Sequence, residues 1–221
     1  MSVITISREF GSGGDLLAQS VARTLGYHLV DKAFVGAVLC EYGVAEFDVE
    51  YEKQPGFWES FDVERVARRD IMVRMLNKVI RAAARHGNVV ILGRSGYAIL
   101  AGLADVLHVR LHAPVADRIE TVRIEQNLSS EDAAAQVKEK DRIRTAFIES
   151  FYHVPWNALH GFDIAINTTR VPVEVATRWV IEAAGLRVPS PGDKPTTKQL
   201  EIDVVMAQAV AERLKCDSEH V

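Results

Sequence analysis

The chain begins with an apolar run, a glycine-rich turn and a helical pattern, in that order. Residues 3–6 are apolar and predict a strand, and residues 11–14 read Gly-Ser-Gly-Gly. Apolar residues recur at helical spacing after the turn, at Leu17, Val21 and Leu25. Gly26 follows as a C-terminal stop for that helix. The first thirty residues therefore predict a strand, a glycine loop, a helix and the start of a second strand.

Four further segments have the length and composition of strands, at residues 27–30, 89–92, 106–111 and 164–166. Helical patterns separate them, at about 62–85, 115–126, 129–147 and 172–185. The run at 89–92 is continuously apolar, which is typical of a parallel strand buried on both faces. Strands that alternate with helices predict an α/β fold, a doubly wound five-stranded parallel sheet flanked by helices. Ligands bind such sheets at the C-terminal ends of the strands.

At 221 residues the chain has the length of one domain with small insertions. We expect that domain at residues 1–185, with an insertion at about 43–75 and a lid at about 127–150. The insertion is acidic, aromatic and aperiodic over most of its first half. Residues 186–199 are rich in proline, glycine and threonine and predict a linker.

Residues 200–221 carry one further amphipathic helix. Its apolar row is predicted to contain Val204, Ala207 and Ala211. Three roles are open to this helix: packing on the core, pairing with a partner such as a second copy in a homodimer, or beginning another module.

Composition indicates an ordinary soluble protein. The formal net charge is −4, which does not favour a nucleic-acid partner. The N-terminus lacks the basic and long apolar regions of a signal peptide, and no window approaches the roughly 18 apolar residues of a membrane span. Cys40 and Cys216 have neither metal-ligand nor disulfide spacing. We therefore expect a cytoplasmic protein with no membrane partner.

The glycine turn is a candidate phosphate-binding site, because backbone N–H groups at a helix N-terminus attract anions. Aligned with the P-loop pattern, residues 8–15 place Gly14 at the lysine position and Asp15 at the Mg²⁺-binding Ser/Thr position. An anion-binding nest made of backbone N–H groups does not depend on the side chain at either position. The candidate phosphate-binding residues are Gly11, Ser12, Gly13, Gly14 and Asp15, and a tight turn without a ligand is the alternative.

A nicotinamide-binding fold is a second interpretation of the same turn. Gly11 and Gly13, with Asp31 about twenty residues later, resemble the dinucleotide fingerprint and its ribose-binding acid. The third glycine of that fingerprint would fall at Leu16, which is bulky. The basic residues elsewhere in the chain have no role in hydride transfer, so the pattern favours phosphate chemistry.

Five segments, in order, resemble the cytidylate kinase-like family. They are ITISREFGSGG at 4–14, LVD at 29–31, ILGR at 91–94, LHVRLHAP at 107–114 and NTT at 167–169. The resemblance covers about residues 1–185. It implies a P-loop nucleoside-monophosphate kinase fold that uses ATP and Mg²⁺ to phosphorylate a nucleotide or similar small acceptor, with CMP as the first candidate.

The resemblance also implies roles for two residues at strand ends. Asp31 matches the acid that meets the acceptor nucleoside, and its alternative role is a helix N-cap. Arg94 matches the arginine that grips the acceptor phosphate, where a planar guanidinium makes two hydrogen bonds to phosphate oxygens. A salt bridge at the end of the strand is the alternative for Arg94.

The charged segment 138–144 lies where such kinases keep a basic lid. Lys140, Arg142 and Arg144 are the candidate cations for the transferring phosphoryl group, since phosphoryl transfer needs charge stabilisation. Arg142 and Arg144 are two residues apart and do not share a face of a straight helix. We therefore expect only one of them at the phosphates. A solvated helix face is the alternative for the whole segment.

Two positions depart from the family pattern. Gly14 offers no cation, and Leu92 stands where related cytidylate kinases carry an acid before the Gly-Arg pair. Arg8 is the candidate substitute for the lysine, with a surface Arg8–Glu9 feature as the alternative, and Asp15 is the candidate metal ligand. Two functions remain open: an active kinase, or a nucleotide-binding regulatory or interaction protein with weak or no kinase activity.

Overall fold

A computed structural model describes residues 3–42, 63–186 and 195–218. All five strands are parallel and lie in the order β2-β3-β1-β4-β5, which confirms the predicted sheet. The strands are β1 Val3–Arg8, β2 His28–Val30, β3 Val89–Leu92, β4 Val106–His112 and β5 Ile164–Asn167. The helices are α1 Gly14–Leu25, α2 Lys32–Glu41, α3 Val63–His86, α4 Gly96–Ile99, α5 Val115–Gln126, α6 Ser130–Tyr152, α7 Val173–Leu186 and α8 Val204–Ser218.

Alternating side chains of β1 point to opposite faces of the sheet, because successive residues of a strand face opposite ways. Ile4 and Ile6 belong to the apolar cluster under α1 and α7, whereas Val3 belongs to the cluster under α2, α3 and α8. On the Val3 face, the next two residues are polar: Thr5 and Ser7 are buried. The sheet thus changes from apolar to polar along one face as it approaches its C-terminal edge.

The C-terminal helix α8 packs on the core, which is one of the three roles left open by its sequence. Met206, Val210 and Leu214 are each 1% exposed and join the cluster that contains Leu76 and Ile80 of α3. Val204, predicted in the buried row, is 78% exposed. Ala207 of the predicted row packs against the same cluster, so the prediction was wrong for Val204 and not for Ala207. Several faces of the segment carry apolar residues, and the helical period alone does not show which of them is buried.

The segment before α8 is fixed to the sheet by a buried carboxylate. Asp105, just before β4, accepts hydrogen bonds from the N–H and the Oγ1 of Thr197, at 2.8 and 2.6 Å. Ala104 N–H donates to the carbonyl of Pro195 at 3.0 Å. Residues 187–194 of the proposed linker, and residues 43–62 of the proposed insertion, lie outside the described residues. No described helix is long and apolar enough to cross a membrane.

Candidate functional site

The turns that follow β1 and β3 meet at the C-terminal edge of the sheet, because these two strands are adjacent and parallel. Helix α6, which comes later in the chain, contributes Arg144 and Ile148 to the same region. Together they enclose a cleft of about 370 Å³, its open mouth included. The side chains of interest in its lining are Ser7, Arg8, Arg94, Ser95, Arg144 and Trp156.

The glycine loop turns sharply into α1 with left-handed backbone at two glycines. Gly11 has φ 78° and Gly13, the N-cap of α1, has φ 71°. A Cβ at Gly11 would lie 2.8 Å from the carbonyl oxygen of Arg118, so that position also lacks space for a side chain. A Cβ at Gly13 would meet nothing within 4 Å. The loop therefore leaves open space beside the N-terminus of α1, as a backbone anion nest requires.

The Arg8 side chain lies over the glycine loop, in the space that a side chain at residue 14 would occupy. A Cβ on Gly14 would be 2.7 Å from Arg8 Cγ and 2.9 Å from Arg8 Cβ, and a Cβ on Gly93 would collide with Arg8 Nη1. The guanidinium thus extends from the glycine loop to the turn after β3. Its Nη2 is 3.6 Å from Asp15 Oδ1. A side chain at residue 14 or residue 93 would therefore meet Arg8.

The turn after β3 places three consecutive residues in the left-handed region. Gly93, Arg94 and Ser95 have φ values of 68°, 49° and 57°. Non-glycine residues in this region each cost on the order of 1 kcal/mol or more, and such strain concentrates at functional sites. Arg94 is 7% exposed and Ser95 is 4% exposed, and both line the cleft. Leu92, in place of an acid, is buried in the core beneath the turn.

Helix α6 is unbroken from Ser130 to Tyr152, so Arg142 and Arg144 point different ways, as expected from their spacing. Arg144 lines the cleft, and its Nη1 donates to the carbonyl of Arg8 at 3.3 Å. Arg142 is outside the cleft lining and pairs with Glu139 through two hydrogen bonds of 2.8 and 2.6 Å. Lys140 is also outside that lining. Of the three candidate lid cations, Arg144 alone contributes to the cleft lining described above.

A network of charged residues fastens α6 and α5 to the glycine loop. Asp141 accepts hydrogen bonds from the N–H of Phe10 at 2.9 Å and from Arg118 Nη1 at 2.6 Å. Arg118 is 5% exposed, donates to the carbonyl of Phe10 at 3.0 Å and lies 3.3 Å from Glu9 Oε2. Sequence reasoning did not find the role of Arg118, because its partners are remote in the chain. Glu9 is therefore paired with the buried Arg118 rather than exposed at the surface.

A buried polar layer on β1 and β4 adjoins the cleft, whose lining includes Thr5 and Ser7 of this layer. Thr5 Oγ1 and His108 Nδ1 share a 2.7 Å hydrogen bond, and Arg110 Nη1 donates to Ser7 Oγ at 2.9 Å. The guanidinium of Arg110 stacks 4.0 Å from the centroid of the Trp156 ring. Burial lowers the pKa of Arg110 below its ordinary value, and the nearby carboxylate of Glu9 opposes that shift. A charged residue inside a strand pattern was the signal that could have identified Arg110.

The two candidate acids occupy different environments. Asp31 caps α2, because its Oδ1 accepts from the N–H of Phe34 at 2.9 Å, so the N-cap interpretation is confirmed. Its contact with an acceptor stays a prediction.

Asp15 is 75% exposed at the start of α1. Ser12 Oγ donates to the carbonyl of Glu9 at 2.8 Å. Within the described ranges, no three His, Cys, Asp or Glu side chains cluster as a metal site.

A glycine loop after the first strand, a parallel 2-3-1-4-5 sheet and an arginine-lined cleft at the strand ends define a phosphotransferase of the P-loop kinase class. Comparison with known proteins agrees with that assignment. The family model described as the cytidylate kinase-like family matches residues 3–170, and the chain belongs to this family. Membership brings nucleotide-kinase chemistry with it, as a class.

Curated relatives match most of the chain. A cytidylate kinase of Pyrobaculum islandicum is 29% identical over 181 residues, covering 80% of this chain and 90% of its own length. A cytidylate kinase of Pyrococcus horikoshii is 28% identical over 201 residues, covering 90% of this chain and 96% of its own. Among solved structures, an uncharacterized protein from Eubacterium ventriosum has the same fold. It matches at TM-score 0.65 and 21% identity, over 85% of this chain and 100% of the other.

Proposed function

We propose that this protein transfers the terminal phosphoryl group of ATP to a nucleoside monophosphate or a similar small acceptor, with CMP as the first candidate. The convergence of Arg8, Arg94 and Arg144 on one cleft at the strand ends carries this proposal. Phosphoryl transfer disperses negative charge over the equatorial oxygens, and catalysis consists largely of positioning and cationic stabilisation. Three guanidinium groups on separate elements are suited to donor phosphates, acceptor phosphate and the group in transit.

In this proposal, Arg8 supplies the positive charge that a P-loop lysine at position 14 would otherwise provide. Its side chain crosses directly over Gly14, the lysine position, and extends toward Gly93 beside the proposed acceptor site. A cation there faces both the loop that would hold the donor phosphates and the turn that would hold the acceptor. In a site that excludes water, one well-aimed charge is typically worth about 3–4 kcal/mol, or roughly a hundredfold or more in rate.

Arg94 and Arg144 complete the charge arrangement from two different elements of the fold. Arg94 sits at the C-terminal end of a buried central strand, where a rigid position suits a two-pronged grip on the acceptor phosphate. Arg144 approaches from α6 and is held against the loop by its contact with the Arg8 carbonyl. Of the three candidate lid residues, Arg144 is thus the one that we assign to the transferring phosphoryl group.

Asp15 is the residue that would hold Mg²⁺. Protein sites for Mg²⁺ commonly supply only one or two carboxylates, and substrate phosphates and waters complete the coordination. The exposed carboxylate of Asp15, beside the glycine loop, fits that limited role. The ion would neutralise charge on the donor phosphates.

A nucleotide-binding regulatory protein with little turnover is the second candidate function. Two observations favour it: Gly14 carries no cation and Leu92 carries no acid, so the usual lysine and one usual route to the metal are both absent. Such a protein would keep the backbone nest and bind ATP. It would release no additional ADP when an acceptor is supplied.

A coupled ADP-release assay with Mg²⁺ and each common nucleoside monophosphate separates the two functions. We expect acceptor-dependent turnover, with CMP among the substrates that are used. Arg8→Ala and Arg144→Ala should each reduce kcat by roughly a hundredfold. Arg123→Ala is the matched control, because Arg123 is an exposed arginine paired with Glu120 in the i,i+3 manner, outside the cleft lining. ATP binding without acceptor-dependent ADP release would refute the kinase proposal and support the second function.

A further inference from the structure

The hydroxyl of Ser95 has no role in the fold that the structure explains. Ser95 is 4% exposed, and its Oγ has no hydrogen-bond partner within the described part of the chain. Ser95 precedes α4, yet its side chain does not cap that helix. A buried hydroxyl without a partner costs on the order of 1–3 kcal/mol, and a ligand that accepts its hydrogen bond would offset that cost.

The position of Ser95 is built rigidly. Gly93 N–H donates to the carbonyl of Ile6 at 2.9 Å, and Gly96 N–H donates back to Gly93 at 2.9 Å. A Cβ on Gly96 would lie 2.9 Å from Ile91 Cγ2, so the turn is pressed tightly against the sheet. The carbonyl of Ser95 accepts from the N–H groups of Ala98 and Ile99 at 2.9 and 3.0 Å. The backbone is thereby held with φ 57° at Ser95.

The surroundings of the hydroxyl indicate what it binds. Ser95 lines the same cleft as Arg8, Arg94 and Arg144, so a ligand beside it is expected to be an anion. Arg94, its neighbour in sequence, shares the left-handed turn. In a cleft lined by arginines, a hydroxyl adds a short, directional donor that can turn toward a phosphate oxygen.

We propose that Ser95 Oγ–H donates a hydrogen bond to a phosphate oxygen of the acceptor that Arg94 holds, so that these two residues form one subsite for a phosphomonoester. This inference rests on the proposed function, because it assumes that the acceptor carries a phosphate. It assigns Ser95 to substrate binding. Selection for a phosphorylated over an unphosphorylated acceptor follows from it.

Calorimetric titration of the full chain with CMP and with cytidine tests the proposal without requiring turnover. Ser95→Ala should weaken CMP binding about tenfold or more, the usual size of a lost hydrogen bond to a charged group. Cytidine and ATP binding should stay unchanged, and the melting temperature should stay the same or rise, because an unpartnered buried hydroxyl is removed. Arg94→Lys should also weaken CMP binding and serves as the positive comparison.

Thr177→Val is the matched control. Thr177 on α7 is 6% exposed, its Oγ1 likewise has no hydrogen-bond partner within the described residues, and it lies outside the cleft lining. Both substitutions remove a buried hydroxyl, and only Ser95→Ala should change CMP affinity. An unchanged CMP affinity in Ser95→Ala would overturn the proposal, as would equal losses of CMP and ATP binding.

The result also separates this proposal from the proposed function. If wild-type protein binds CMP but turns over none of the nucleoside monophosphates, the kinase proposal fails and the Ser95 comparison still decides the subsite. If it binds no CMP, inorganic phosphate replaces CMP as the probe. Phosphate binding that is weakened by Ser95→Ala supports the subsite, and failure of the wild type to bind either anion overturns it.

Discussion

Asp141 on α6 is joined to Phe10 in the glycine loop, 131 residues earlier, by a 2.9 Å hydrogen bond from the Phe10 N–H to Asp141 Oδ1. Its other carboxylate oxygen accepts from Arg118 at 2.6 Å. The same carboxylate therefore holds the proposed lid helix, α5 and the loop in one arrangement. If residues 138–144 open and close during turnover, this contact must break together with the hydrogen bond from Arg144 to the carbonyl of Arg8.

Asp141→Asn should loosen the loop and the helix together. The amide keeps the shape but loses the charge that faces Arg118, so we expect faster hydrogen exchange in residues 9–14 and 138–144 and weaker ATP binding. Glu139→Gln is the control on the same helix, because Glu139 pairs with the exposed Arg142. A bisubstrate analogue should slow exchange in 138–144 of the wild type. Hydrogen exchange in residues 138–144 that is equally fast with and without the analogue would contradict a lid in this segment.

Gly13 and Gly26 provide a matched pair for testing the phosphate nest. They flank the two ends of α1, both have left-handed backbone, and a Cβ on either would meet no atom within 4 Å. Alanine should therefore destabilise the fold at each position by a similar amount, about 1 kcal/mol. Only Gly13→Ala should weaken ATP or sulfate binding in calorimetry. Equal affinities for the two variants would argue against a nest at residues 11–14.

The first βα unit could be predicted because its signals are local. An apolar run, four glycine-rich residues and a helical row are all read within about 25 positions of sequence. The contacts of Arg118 with Phe10, and of Arg110 with Ser7, span more than 100 residues. One sequence by itself does not show which residues so far apart are in contact. The pairings within the polar layer of β1 and β4, and the contacts that hold α6 to the glycine loop, were therefore beyond prediction, whereas the spacing of Arg142 and Arg144 correctly indicated that they diverge.

Gly14→Lys tests whether Arg8 occupies the place of the P-loop lysine. A Cβ at residue 14 would press on Cβ and Cγ of Arg8, near the backbone where the side chain has little freedom. We expect Gly14→Lys alone to destabilise the fold by about 1–3 kcal/mol, as overpacking usually does. Adding Arg8→Ser should recover much of that stability and keep a cation at the loop. Strictly additive free energies of unfolding in this double-mutant cycle would show that the two positions do not compete.

The contact between Asp203 and Lys78 gives the docking of α8 a dependence on pH. Lys78 Nζ donates to Asp203 Oδ2 at 2.8 Å, and this hydrogen bond lowers the pKa of Asp203 below its ordinary value of 3.8. Because the folded-state pKa is the lower one, the contact stabilises the fold above about pH 4 and is lost as the pH falls through that pKa. Asp203→Asn should slightly lower the melting temperature at pH 7, and this effect should disappear once the pH lies below the lowered folded-state pKa. A difference that is the same at both pH values would assign the effect to helix capping instead.

The docking of α8 bears on how the protein can be shortened. The family match ends at residue 170, but Met206, Val210 and Leu214 cover the apolar surface of α3 well beyond it. A gene fragment cut at residue 170, or after α7 at 186, would encode every strand and the whole arginine cleft. Its product would display Leu76, Ile80 and their neighbours to water, and such surfaces favour aggregation. A fragment for recombinant production should therefore extend at least through Leu214, the last residue of α8 in the core cluster.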